Sequence, residues 1–217
     1  MVANRFLAAL AAATLAGAAA AADSPFDTDA EGWSAFGDAA GPVSWVATGG
    51  QPDGHIRVRD SVSGGVTYFV ASSDYLGDQL GSFNQTLSFD LMQIYSGSAS
   101  QFDAADVVLI GGGLTLVYDT AANPANGAWT HYDVLLAGSG WQVGTLGGAA
   151  ATDEQMKTVL GSLTALRIRS EFRTGADTGA LDNVVLPTVP AVPEPGTAAL
   201  AALGLLGLGA GLRRRRG

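Results

Sequence analysis

Cysteine is absent from the 217 residues. Its absence removes disulfide frameworks, thiol nucleophiles and sulfur-ligated metal sites together. Bases are scarce as well: eleven lysines and arginines face twenty aspartates and glutamates, and Arg5 with Arg213, Arg214, Arg215 and Arg216 lie at the two ends. Between residues 23 and 189, six bases meet nineteen acids, a net charge of −13. So acidic a segment offers no footprint for nucleic acid or an anionic membrane, both of which need basic patches. It favours solubility and divalent cations. Only His55 and His131 could serve as bases near neutral pH. Helical periodicity is rare, and long apolar runs occur only at the ends.

Those ends are informative. Arg5, the apolar Ala-rich run from Phe6 and the small-residue pattern Ala20-Ala21-Ala22 have the layout of a secretory signal peptide, whose cleavage by signal peptidase would leave Asp23 first. At the other end, Thr197 to Leu212 is Ala, Leu and Gly rich and stops at four arginines. Positive flanks stay cytoplasmic, so this layout predicts a helix in the inner membrane with everything before Pro195 outside. The span is slightly shorter than the roughly 20 residues a relaxed membrane helix prefers.

Between the ends, short apolar or alternating runs are separated by Gly, Asp, Asn and Ser, the rhythm of a β-sandwich or barrel. The predicted strands are 43–46, 55–60, 66–71, 85–94, 106–110, 114–119, 129–136, 165–172 and 181–186. In the eighth, Leu166, Ile168 and Phe172 alternate with Arg167, Arg169 and Glu171, which reads as one buried and one wet face. Thr152 with Gln155 forms a capping box ahead of an apolar stripe, Met156, Val159, Leu160 and Leu163, predicting a helix over 153–162 that covers an open end of the sandwich. A second helical turn is expected near 74–80. The chain then divides into a signal peptide (1–22), one domain (23–187), a Pro-rich linker (188–195) and a C-terminal apolar helix (196–217). One domain of this size buries about two-thirds of its unfolded surface.

Two resemblances become visible at this point. Val192-Pro193-Glu194-Pro195-Gly196, the apolar span and the cluster Arg213 to Arg216 resemble, in order, a PEP-CTERM sorting signal. That resemblance implies recognition by an exosortase-type membrane transpeptidase in an exopolysaccharide-making Gram-negative bacterium, cleavage near Pro-Glu-Pro, and delivery to the cell surface or extracellular matrix. An ordinary single-pass anchor has the same apolar-then-basic layout. The second resemblance rests on Gly32-Trp33, Trp45, Gly49 to Ile56, Tyr75 to Asp78, Leu87 to Leu91, Asp106 to Leu109, Trp129-Thr130, Leu166 to Arg169 and Leu181 to Val184. These are similar to a laminin B (laminin domain IV) module. It implies a galactose-binding-like jelly roll of two antiparallel sheets and a non-catalytic binding role. The cysteine-rich repeats that flank such modules in animal laminins are missing.

Candidate chemistry is limited. Alternation puts His131 beside Asp133 on one strand face, a possible His-carboxylate pair, but no Gly-x-Ser-x-Gly elbow accompanies it, and a solvated His explains the position equally. Acids are plentiful enough to supply a glycosidase pair, yet most stand beside Gly or Ser, where they serve turns. Gly111-Gly112-Gly113 lies between two strands and reads as a turn. Calcium is the sharper use of the acids. Asp27, Asp29 and Glu31 near one end and Asp182 with Asn183 near the other would meet if the first and last strands pair, giving a structural Ca2+ site of hard oxygens. Sugar binding would use exposed rings drawn from Trp33, Trp45, Trp129, Trp141 and Tyr95. Trp141, among Gly138, Gly140 and Gly144, is the first candidate.

The expectation is therefore an exported, surface-sorted, non-enzymatic all-β jelly roll that binds polysaccharide or another surface component. A structural matrix protein without a discrete ligand is the alternative from another class, and a polysaccharide hydrolase is a third.

Overall fold

The computed structural model describes residues 21–39, 41–97 and 100–189. The expected signal peptide before residue 21, the sorting motif and the C-terminal apolar helix lie outside them. Twelve strands and one helix follow in order: β1 Ala22–Ser24, β2 Ser34–Phe36, β3 Ser44–Val46, β4 His55–Asp60, β5 Tyr68–Val70, β6 Thr86–Ile94, β7 Val107–Gly111, β8 Leu114–Tyr118, β9 Thr130–Leu135, β10 Gln142–Val143, α1 Asp153–Leu160, β11 Leu163–Arg169 and β12 Asp177–Leu186. Among the described residues no helix is long and apolar enough to cross a membrane.

The strands form two antiparallel six-stranded sheets. One runs β3-β4-β12-β6-β9, and β1 also pairs with β12. The long β12 is shared along its length: Asp177 to Leu181 pair with β4, and Val184 to Leu186 pair with β1. The other sheet runs β10-β8-β7-β11-β5-β2. Alternation explains the core. Ile56, Val58, Leu87, Phe89, Leu91, Tyr132, Val134 and Leu181 point inward from the first sheet, against Phe69, Leu109, Leu116, Leu166 and Ile168 from the second. Each such side chain stabilises the sandwich by about 1.5–3 kcal/mol relative to exposure.

The capping box is present as expected. Gln155 N–H donates to Thr152 Oγ1, and Thr152 N–H donates to Gln155 Oε1. Met156, Val159 and Leu160 of α1 join the core against β7 and β8. The helix ends at Leu160, earlier than the expected 162. The glycine run does make a turn. Gly112 and Gly113 both have positive φ, 55° and 75°, the geometry of a tight hairpin between β7 and β8. The expected turn near 74–80 resolves into two 3-10 turns, Ser73–Tyr75 and Leu80–Ser82.

The wet face expected on β11 is corrected. Arg167 is half-buried with its guanidinium 3.8 Å from the Phe36 ring centroid, and Arg169 and Glu171 are each only 1% exposed. The segment before β7 lies over Arg169. Its guanidinium donates to the carbonyls of Phe102, Ala104 and Glu171 and to Asp106 Oδ1, and sits between the Phe102 and Phe172 rings.

Candidate functional site on the outer sheet face

The inward positions fix which side chains face out from the first sheet. On β4 these are His55, Arg57 and Arg59, on β12 Thr178, Ala180 and Asp182, on β6 Ser88, Asp90, Met92 and Ile94, and on β9 His131, Asp133 and Leu135. The register aligns them in rows: Thr178 opposite Arg59 and Ile94, Ala180 opposite Arg57 and Met92, then Asp182 opposite Asp90, which faces His131. Asn183 has a left-handed φ of 49° where the β12–β6 register shifts, and its side chain joins the polar row.

This row is tightly wired. Asp182, buried, accepts from the backbone N–H of Gln51 and of Asn183. Asn183 Nδ2 donates to Asp90 Oδ2 at 2.9 Å and to the carbonyl of Gln51. Asp90 Oδ1 lies 2.8 Å from His131 Nδ1, while His131 Nε2 lies 3.5 Å from Asp133 Oδ1. Burial raises the Asp182 carboxyl to about 6, against the two backbone donors and with help from Asp90 and Asp27. The hydrogen bond to Asp90 raises the His131 imidazole above its ordinary range. A carboxylate stands beside each ring nitrogen, which favours the protonated imidazole over the neutral one.

The 49–54 loop closes one side of the row. Only glycine fits at Gly50, because a Cβ there would stand 2.1 Å from the Gly54 carbonyl oxygen and 2.5 Å from Asp182 Oδ2. Trp129 Nε1 donates to the Gly49 carbonyl, and the Trp129 ring meets His55 edge-on at 5.3 Å. His55 is fully buried and accepts from Arg57 Nε. Burial, then the Arg57 charge, pushes it down to about 4. Further along the same face, Arg59, Ile94, Tyr95, Ser96, Asp177 and Thr178 line an open cleft of about 540 Å³. One side of the Tyr95 ring is covered by Arg173, 4.8 Å from its centroid.

The structure distributes the sequence candidates unevenly. β1 and β12 do pair, as the calcium expectation requires, but the named acids are occupied locally. Asp29 accepts from Glu31 N–H, Glu31 accepts from Phe26 N–H, and Asp182 holds the 49–54 loop. Asp27 is exposed and acts on Asp182 only through its charge. Trp141 needs correcting. It is 1% exposed, donates from Nε1 to the Leu135 carbonyl and packs on Tyr118, so neither ring face is free for a sugar. The left-handed Gly140 folds it inward over the Tyr118 ring. Trp33 is core as well, whereas Trp129 and Tyr95 are half-buried and Trp45 is 38% exposed. The sequence places His131 beside Asp133 correctly and Asn183 beside Asp182, but gives no sign of Asp90 or of the link from Asn183 to the histidine, which only strand pairing makes.

Comparison with known proteins agrees with this architecture. No curated protein matches the chain. The L4b domain of human laminin alpha-2 superposes with a TM-score of 0.51 at 12% identity, covering 61% of this chain and 80% of that one. The family 11 carbohydrate-binding module of the cellulosomal cellulase Lic26A-Cel5E of Clostridium thermocellum superposes with a TM-score of 0.50 at 15% identity, covering 76% and 92%. At these identities the likeness is one of fold. Residues 191–216 match the PEP-CTERM protein-sorting motif, and residues 68–201 match the Laminin B (Domain IV) model. A match over more than half of the chain places it plainly: the protein belongs to the Laminin B (Domain IV) family.

Proposed function

We propose that this protein is an exported, surface-sorted, non-catalytic module that binds polysaccharide along the outer face of the β3-β4-β12-β6-β9 sheet. The carrying observation is the composition of that face. Asp90, Asn183, His131 and Asp133 form a row of hydroxyl-matching donors and acceptors, and the half-buried rings of Trp129 and Tyr95 supply apolar faces for pyranose stacking. The fold shared with a carbohydrate-binding module supports the reading. So does the PEP-CTERM sorting motif, which points to exosortase-type processing and to the cell surface. The row is held by its own hydrogen bonds before any ligand arrives, which lowers the ordering cost of binding.

Affinity electrophoresis of the full chain through gels containing exopolysaccharide from an exosortase-bearing host, and through plain gels, tests the proposal. Retardation is expected only in the polysaccharide gels. Tyr95→Ala or Trp129→Ala should weaken it about tenfold, the loss of roughly 1.4 kcal/mol of ring contact. Unretarded wild-type protein would favour the alternative of a structural matrix component without a discrete ligand.

A further inference from the structure

Four carboxylates lie at one end of the sandwich, away from the polar row, near enough for Asp60, Asp38 and Asp177 each to act on Glu171 through its charge. Asp60 closes β4 with its side chain on the inward side, in the same alternation as Ile56 and Val58, and Asp177 opens β12 as its direct cross-strand partner. Facing them from the second sheet are Glu171, just after β11, and Asp38, just after β2. Thr67 ties these two together, with its N–H donating to Glu171 Oε2 and its hydroxyl to Asp38 Oδ1, both at 2.9 Å. Asp60, Glu171 and Asp177 are at most 4% exposed.

Their remaining oxygens are poorly satisfied. Asp38 Oδ2, Asp60 Oδ2, Glu171 Oε1 and both oxygens of Asp177 are buried with no hydrogen bond of normal geometry, although the Phe172 N–H acts on the Asp177 carboxyl. Each Asp or Glu left this way is costly unless a proton or a cation neutralises it. No arginine does so. The ion pairs among the described residues join His131 to Asp90 and Asp133, and Arg169 to Asp106. Arg169 and Arg173 act on Asp177 only at a distance: Arg169 is held by three carbonyls and Asp106, while Arg173 donates from Nη1 to the Ser96 carbonyl and covers the Tyr95 ring, its Nε forming neither a hydrogen bond nor an ion pair. Arg59 projects from the opposite face of β4, toward the open cleft.

We infer that Asp38, Asp60, Glu171 and Asp177 form a calcium site that ties the ends of β2, β4, β11 and β12 together. Five oxygens with no nitrogen or sulfur among them select a hard cation, and the irregular placement suits calcium's 6–8 flexible ligands better than the strict octahedron of magnesium. Among the described residues no three His, Asp or Glu side chains already stand as a metal cage. On this assignment the carboxylates draw closer around the ion when it binds. The site shares no residue with the set Asp27, Asp29, Glu31 and Asp182.

Calorimetric titration of the chelator-dialysed full chain with CaCl2 and separately with MgCl2, together with thermal melts at pH 7.5, decides the matter. One bound calcium and a melting temperature raised by several degrees in calcium are expected, with a weaker response to magnesium. Glu171→Gln and Asp177→Asn should each melt above wild type in chelator, because a buried charge is gone, and should lose the calcium response. Asp27→Asn should keep that response. No heat of binding to the wild-type chain, a calcium response that survives both quartet substitutions, or one abolished by Asp27→Asn would each overturn the assignment. The wild-type titration stands even if a variant fails to fold.

Discussion

Arg169 offers the sharpest test of how the fold is held together. Its guanidinium is 1% exposed and uses its planar fork on three carbonyls and on Asp106 Oδ1, 3.3 Å away, between the Phe102 and Phe172 rings. Replacing it with methionine keeps much of the volume but strands the carbonyls of Phe102, Ala104 and Glu171 and removes the cation from Asp106. Asp106 stays partly satisfied, since it also accepts from the backbone and hydroxyl of Thr120. Breaking a buried pair of this kind costs about 3–5 kcal/mol. At about 2–4 °C per kcal/mol for a domain of this size, Arg169→Met should lower the melting temperature by about 6–20 °C. Arg169→Lys should recover less than half of that loss, because a single ammonium cannot span the fork. Near-UV circular dichroism melts of the three proteins measure it. A drop under about 2 °C for Arg169→Met would mean that the segment over β11 is not held by this side chain, and the reasoning would fail.

Three further outcomes follow from individual residues. The two imidazoles should titrate in opposite directions when followed by NMR: His131 above the ordinary histidine range, held there first by Asp90, and His55 near 4, with Asp90→Asn returning His131 toward normal. Burial raises Glu171 to about 7 and Asp177 to about 6, so each takes up a proton on folding, and the stability this contributes is complete below the unfolded carboxylate range and lost as pH rises through 6 to 7. In chelator, Glu171→Gln should accordingly melt higher than wild type at pH 8, with the difference vanishing by pH 5, and a gap that widens on acidification would contradict the burial argument. Thr152→Ala removes one half of the capping box and should cost about 1 kcal/mol in urea unfolding, restored largely by Thr152→Ser.

Local pattern made the fold legible where it was complete. The strand over 55–60 needed no adjustment, because alternation and the turn before it bound it on both sides, and the start of α1 was written in Thr152 and Gln155. β1, β2 and β10 escaped notice because two or three residues carry no period. β12 begins at Asp177, four residues before expectation, since Asp177-Thr178-Gly179-Ala180 looks like a turn until its pairing with β4 and β6 is known. The site was half visible. The parity of His131 and Asp133 is a local fact, but Asp90 and Asn183 lie 41 and 52 residues from His131 along the chain, on other strands. Asp60 and Asp177 lie in segments rich in Gly and Ser, where an acid ordinarily serves a turn, and only the assembled sandwich turns them inward. Trp141 misled for a related reason: its neighbouring glycines suggest an open loop, whereas Gly140 uses its positive φ to fold the ring into the core.

Polysaccharide binding is assigned to one face of one sheet, and amide chemical-shift mapping reads faces directly. Titrating the isotopically labelled full chain with soluble oligosaccharide from the host exopolysaccharide should shift Asp90, His131, Asn183, Tyr95 and Thr178 on the outer side of β12, β6 and β9. The amides of β7, β8 and β11 should stay in place. Shifts confined to the second sheet, or none at saturating oligosaccharide, would contradict the account.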